Sequence, residues 1–391
     1  MSLFDEIQRD DLGPALYAEP KSVYLNRSAR PGAQKIRELL ALWFSHYPEQ
    51  DQLDLYGRFR SHDDAQYLSA FFELFLHELL LTLENRVEVH PVLQGNPRRP
   101  DFLVRPQVGS SYYVEAVVAT DETREESAAR ARMNAVYDVI NRMDSPNFFI
   151  GMKVRGMPDT PPPGRQIRTF LQHQLADLDP DALGRAFEVG GFQALPHWPY
   201  HSEDWHVEFF PIPKSQGLRG RPGVRPIGIE LGGLQRLDNR VAIRDAIVEK
   251  AGRYGELDLP YVVAVDALAD FVDRIDIMEA LFGKERFIFR GGQDGADGPE
   301  AAPRTPDGAW TSPNGPRYTR VSAVLMAIRL YPSSIPWSSI CLYHNPWAAR
   351  PYEGQINRLP RAAAASEDRM AWHDGISLGQ LFQLAADWPG E

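Results

Sequence analysis

The sequence is poor in cysteine and in lysine, and both shortages narrow what it can do. One cysteine, Cys341, in 391 residues excludes an internal disulfide framework and any multi-cysteine metal centre, and it fits a reducing compartment. Lysine occurs six times, at 21, 35, 153, 214, 250 and 284, so chemistry that needs an ammonium has six candidates. The 42 basic side chains are outnumbered by 53 acidic ones, giving a net charge of −11. That balance argues against a surface that grips nucleic acid or anionic membrane as a whole, and leaves room for a local basic patch. Long apolar runs are missing: the best, inside FFELFLHELLLTL, is broken by Glu73, His77 and Glu78, and the N-terminal stretch is acidic. The expectation is a cytoplasmic chain with no membrane span and no leader. Also missing are GxxxxGK[ST], a GxGxxG after a strand, GxSxG and HExxH, so ATP-driven, dinucleotide, serine-hydrolase and zinc-protease chemistry has no support.

What is present supports a packed α/β protein. Hydrophobic residues make up 43% and charged residues 24%, and the length predicts two or three domains. Residues 1–60 read as a helical segment, with Ile36, Leu39, Leu40 and Trp43 at helical spacing behind Pro31. A helix from about Asp64 to Glu84 carries apolar residues on nearly every side, which marks it as buried. The period then changes. RVEVHPVL, PDFLV and SYYVEAVVA read as three strands, residues 122–143 as a helix, and FFIGMKV as a fourth strand. This order spans one compact unit, 61–156, closed by the rigid GMPDTPPPG. A C-terminal α/β region follows over 165–391, with a glycine- and proline-rich stretch at 291–316 expected to be a mobile surface loop.

Two carboxylates stand out. Glu115 sits in the middle of the apolar strand YYVEAVVA, where a buried charge needs a proton, a cation or a metal. Asp101 opens the preceding strand, and a tight hairpin through QVGS places it opposite Glu115 or one position away. Acids that close repel unless a cation lies between them, and oxygen donors of this kind suit magnesium or manganese. Glu73 and His77, four residues apart, share one face of the buried helix upstream.

These residues resemble the PD-(D/E)XK, restriction-endonuclease-like nuclease superfamily, whose core runs αβββαβ. The match is Glu73 in FFELFLHELL, then Pro100-Asp101, then Glu115-Ala116-Val117. The resemblance implies that Asp101, Glu115 and the Ala116 carbonyl hold the metal, with Glu73 as an outer ligand. It also implies a magnesium- or manganese-dependent nuclease cleaving DNA, in bacterial defence or DNA processing. The family's lysine is missing, because Val117 stands in its place. Lysine migration between elements is familiar in the family, and Lys153, on the fourth strand, is the substitute expected here. The competing expectation is a non-enzymatic module that kept the fold and lost the lysine, binding nucleic acid or a protein partner. An enzyme of another class built on the C-terminal strands would place its pocket far from Asp101.

Two further features bear on partners. KSQGLRGRPGVRP, residues 214–226, offers Lys214, Arg219, Arg221 and Arg225 with no acid, the make-up of a loop that tracks phosphates. HWPYHSEDWH at 197–206 gathers three histidines, but its spacing fits no zinc signature and reads as a packed loop. Glu208 and Glu230, each within an apolar strand, read as paired core carboxylates. A second copy of the chain or a protein partner is compatible with all of this.

Overall fold

The computed structural model describes residues 1–120, 124–202, 205–221, 224–232, 238–288, 300–366 and 369–390. The chain forms two compact units. The first holds Met1–Leu12, Pro20–Asp121 and Asp238–Glu391; the second holds Gly13–Glu19 and Glu122–Leu237.

In the first unit, helices α1 (Lys21–Arg27), α2 (Pro31–His46) and α3 (Gln52–Phe59) lead into α4 (Asp64–Thr82). Pro31 occupies the first turn of α2, where its missing N–H costs nothing. Asp63 caps α4 by accepting the Ala65 N–H at 2.9 Å. The apolar surface of α4 is buried nearly all round, from Tyr67 to Leu80. Strands β1 (Asn85–Val89), β2 (Phe102–Pro106) and β3 (Tyr112–Ala119) then run antiparallel in sequence order.

The chain next enters the second unit, with α5 (Arg124–Asn141), β4 (Phe148–Arg155), α6 (Gly164–Leu175), α7 (Pro180–Gly190), β5 (Trp198–Ser202), β6 (Trp205–Pro213) and β7 (Ile227–Gly232). Its four strands lie in the order β5-β6-β4-β7. The expectation that the helix over 122–143 and FFIGMKV complete the first core is therefore corrected, and so is the boundary at 156. The cause is packing: Ile150, Met152 and Val154 of β4 share a core with Val136, Ile140, Ile167 and Leu171. Gly151 lets the Phe210 ring lie flat against the strand, since a Cβ there would come within 2.1 Å of it.

The first unit resumes with α8 (Asn239–Ala251), β8 (Tyr261–Ala267), α9 (Arg274–Phe282), β9 (Val321–Ile328), β10 (Ser339–His344), β11 (Arg361–Ser366) and β12 (Arg369–His373). Its sheet has the order β1-β2-β3-β8-β9-β10-β11-β12. β8 is parallel to both β3 and β9, and every residue from Tyr261 to Ala267 is buried, as a central parallel strand covered on both faces requires. Alternation divides the cores. Val114, Val262, Ala264 and Leu325 pack with α4, whereas Tyr113, Val263, Val265 and Met326 pack with Ile243 and Ile247 of α8. Read without the inserted unit, the chain order at the sheet's centre is α4-β1-β2-β3-α8-β8.

Of the stretch 291–316 expected to be mobile, 291–299 lies outside the described residues. The rest is anchored: Trp310 is fully buried and meets Phe282 edge to face at 5.2 Å. No helix among the described residues is long and apolar enough to cross a membrane.

A buried carboxylate cluster as candidate catalytic site

The β2–β3 pairing ends at Phe102 opposite Val114, so one more step of the same register sets Asp101 against Glu115. Beyond that pair the strands stop exchanging backbone bonds, and Asp101 fills the opening. Its carboxylate accepts the Ala116 N–H at 2.7 Å, and its own carbonyl accepts the His90 N–H at 2.9 Å. Side-chain alternation sends Glu115 to the sheet face covered by α8, and Glu73 reaches in from α4 on the other face. Asp101 feels both. Burial, then Glu115, then Glu73 push its carboxyl up to about 8, against a lowering by the Ala116 N–H and Lys250. Of the three acids proposed from sequence, Asp101 is the one that both of the others act on.

Each outer acid has its own cation. Glu115 is 1% exposed; its Oε1 accepts Lys250 Nζ at 2.9 Å and faces Arg253 Nη1 at 3.5 Å. Its Oε2 accepts the Tyr254 hydroxyl, which is also 2.9 Å from the Arg99 carbonyl. Glu73 accepts the Tyr47 hydroxyl at 2.6 Å and pairs with Arg58 at 2.7 Å. His90, held at a φ of +47° that is unusual for a side chain of its size, points its ring nitrogens at Glu73 (3.7 Å) and Asp51 (3.6 Å). His77 packs on the Tyr47 ring at 4.9 Å, and burial drives its imidazole down to about 4. It is therefore neutral at physiological pH and adds no charge.

The lysine is the main correction. Lys153 lies on β4 in the second unit, exposed and opposite Glu208, in a sheet separate from the one carrying Asp101 and Glu115. Lys250, in the last turn of α8, is the one at the carboxylates. Lys250 falls in the region after the unit 61–156, within which Lys153 is the one lysine, so the expectation settles on Lys153. One signal was available: Ile243, Ile247 and Ala251 form the buried stripe of α8, and Lys250 lies three residues from Ile247 at its edge.

The donor set suits a hard divalent cation: Glu73, Asp101, Glu115 and the Ala116 carbonyl are all oxygen ligands. Among the described residues, no three such side chains converge on one point as they stand. Glu115 is engaged by Lys250 and Tyr254 on the α8 face, and Glu73 by Arg58 and Tyr47 on the α4 face.

The loop at 214–226 does not offer its charges as expected. Lys214 is 3% exposed; its ammonium donates to the Ser145 carbonyl at 2.8 Å and sits 4.9 Å over the Phe149 ring. Arg219 pairs with Asp181 at 2.8 Å, and Arg225 donates to the Ala15 carbonyl while covering Tyr17. Arg221 is exposed. The phosphate-tracking expectation is therefore corrected for Lys214, Arg219 and Arg225, whose donors serve the fold. The histidine tract is the β5–β6 hairpin, with His201 on His206 at 2.7 Å and His197 on Glu208 at 3.0 Å. Glu203 and Asp204 lie outside the described residues, as does the Glu230 side chain. Glu208 is 40% exposed, so it is a surface pair and not a core one. Compared with protein-family models, curated proteins and solved structures, the chain matches none.

Proposed function

We propose that this chain is a metal-dependent nuclease that hydrolyses phosphodiester bonds in DNA, with a restriction-endonuclease-like core formed by α4-β1-β2-β3-α8-β8. The observation that carries the reading is Lys250 Nζ at 2.9 Å from Glu115, the residue one register step beyond the Phe102–Val114 pair, where Asp101 accepts the Ala116 N–H. It supplies the acid, acid and lysine grouping of the PD-(D/E)XK superfamily, with the lysine moved from the third strand to the following helix. In this reading the helix and strand that would complete an αβββαβ core are α8 and β8, which follow the inserted unit in sequence.

In this reading Asp101, Glu115 and the Ala116 carbonyl hold magnesium or manganese, and Glu73 supports it from outside. When bound, the metal lowers the pKa of a ligated water and offsets charge on the phosphate. Lys250 would direct its ammonium at the attacking water and at the negative charge on the non-bridging phosphoryl oxygens. Hydrolysis adds the water oxygen to phosphorus, breaks the ester bond to one sugar oxygen, and returns a proton to that leaving oxygen. Asp101, through its bond from the Ala116 N–H, fixes where the two strands open.

A second reading has its own support. Glu115 and Glu73 are already satisfied by internal cations, as they would be in a module that kept the fold for binding alone. Cleavage of labelled DNA with magnesium or manganese separates the two. Lys250→Ala is expected to lower turnover by about 10²–10⁴-fold, and Lys153→Ala to leave it unchanged. Full activity in Lys250→Ala, or none in the native chain with either metal, would defeat the nuclease reading.

A further inference from the structure

We infer that Arg253 is a phosphate-binding residue of this site, resting in the free protein on Glu115 and turning its free donors to the substrate's phosphodiester. The inference rests on the nuclease reading above. Glu115 Oε1 faces two cations where one would balance it: Lys250 at 2.9 Å with a side chain 13% exposed, and Arg253 at 3.5 Å with a side chain 38% exposed. Lys250 is the inner cation and Arg253 the outer. Arg253 Nη1 is the nitrogen nearest Glu115, and Nε and Nη2 have no protein partner among the described residues. A guanidinium held by one corner presents the rest of its fork, which matches a pair of phosphate oxygens.

The backbone beneath it is fixed from several sides. Arg98 donates to the Arg253 carbonyl at 3.0 Å, Asn96 donates to the Tyr254 carbonyl at 3.0 Å, and the Tyr254 hydroxyl reaches the Arg99 carbonyl. The Arg253 guanidinium carbon lies 6.0 Å from the Tyr254 ring centre. The side chain thus stands on an anchored turn, and only its tip needs to move.

Charge balance points the same way. Glu73 is paired with Arg58, whereas Glu115 faces both Lys250 and Arg253, one cation more than it needs. A divalent cation among them adds two positive charges. A phosphodiester and a hydroxide supply two negative ones, and Arg253, as the most exposed cation at Glu115, is placed to follow the phosphate.

The test uses the full chain and a fluorescein-labelled DNA oligonucleotide, single- and double-stranded, with calcium replacing magnesium so that the strand stays intact. Anisotropy is read over a salt series, and manganese binding by calorimetry without DNA. Arg253→Gln is expected to weaken DNA binding about 10- to 100-fold and to reduce the slope of log affinity against log salt by about 0.9. Arg253→Lys keeps that slope while losing part of the affinity, which a merely structural role for the arginine would not produce. Manganese affinity is expected to stay the same or rise in Arg253→Gln, because a positive charge has left the metal's surroundings. Unchanged DNA affinity and salt slope in Arg253→Gln, with manganese still bound and lost on Asp101→Ala, would overturn the role of Arg253 and leave the nuclease reading standing. No manganese binding and no DNA binding by the native chain would overturn both.

Discussion

Replacing Lys250 with methionine removes the ammonium at Glu115 and keeps most of the side-chain volume. Glu115 is 1% exposed, so its carboxylate would stay in the core without its nearest counter-ion. Removing one partner of a buried pair costs about 3–5 kcal/mol. The Tyr254 hydroxyl and Arg253 at 3.5 Å remain, which places this substitution below that range, at about 2–3 kcal/mol. For a unit of more than 200 residues this lowers the melting temperature by about 5–10 °C. A divalent cation restores what the ammonium supplied: at one hundred times its Kd it stabilises the folded state by about 2.7 kcal/mol. Thermal melts of the native chain and Lys250→Met, each with and without magnesium or manganese, read all of this. The expected pattern is a lower melting point in the variant and a metal-dependent recovery larger than in the native chain, whose Lys250 already competes for Glu115. The reasoning is refuted if the variant melts like the native chain, or if divalent metal fails to stabilise it more than the native chain.

Two further outcomes follow from the same geometry. With the Asp101 carboxyl pushed up to about 8, the folded state keeps a proton that the unfolded state releases near pH 4. Metal-free stability is therefore expected to fall as pH rises between about 4 and 8, and Asp101→Asn to flatten the profile. Urea midpoints across that range check it, and an equal slope in the variant would count against it. Lys214→Met strands the Ser145 carbonyl at 2.8 Å, so it should lower the melting temperature of the second unit while leaving DNA affinity and its salt dependence as they were. A changed salt slope would return Lys214 to the phosphate-contacting role.

The parts legible in the sequence are those fixed by neighbours along the chain. The change of period after Thr82 and the hairpin from Asp101 to Glu115 are local, and the acid–acid opposition follows from register alone. The partner of β3 was not legible. FFIGMKV and YVVAVDA are both apolar enough to lie beside it, and the choice is made by cores more than 100 residues apart in sequence: β4 has its own, and β8 is buried on both faces. Lys250 and Arg253 follow from that choice. The charges of 214–226 misled for a different reason, because composition counts donors and does not show that a carbonyl such as that of Ser145 has already taken one.

The insertion between β3 and α8 also sets a schedule. Glu115 and Lys250 are 135 residues apart, and most of the interval is the second unit. At ribosomal speeds of about 5–20 residues per second, Glu115 is made on the order of 10 s before its lysine. During that time β3 also lacks β8 and α8, so the central edge of the nascent sheet is open and Glu115 is still uncovered. An inserted unit that can collapse around its own core, built on Ile150, Met152 and Ile167, occupies the chain during this wait. A polypeptide interrupted anywhere in that interval carries Glu73, Asp101 and Glu115 and lacks Lys250 and Arg253.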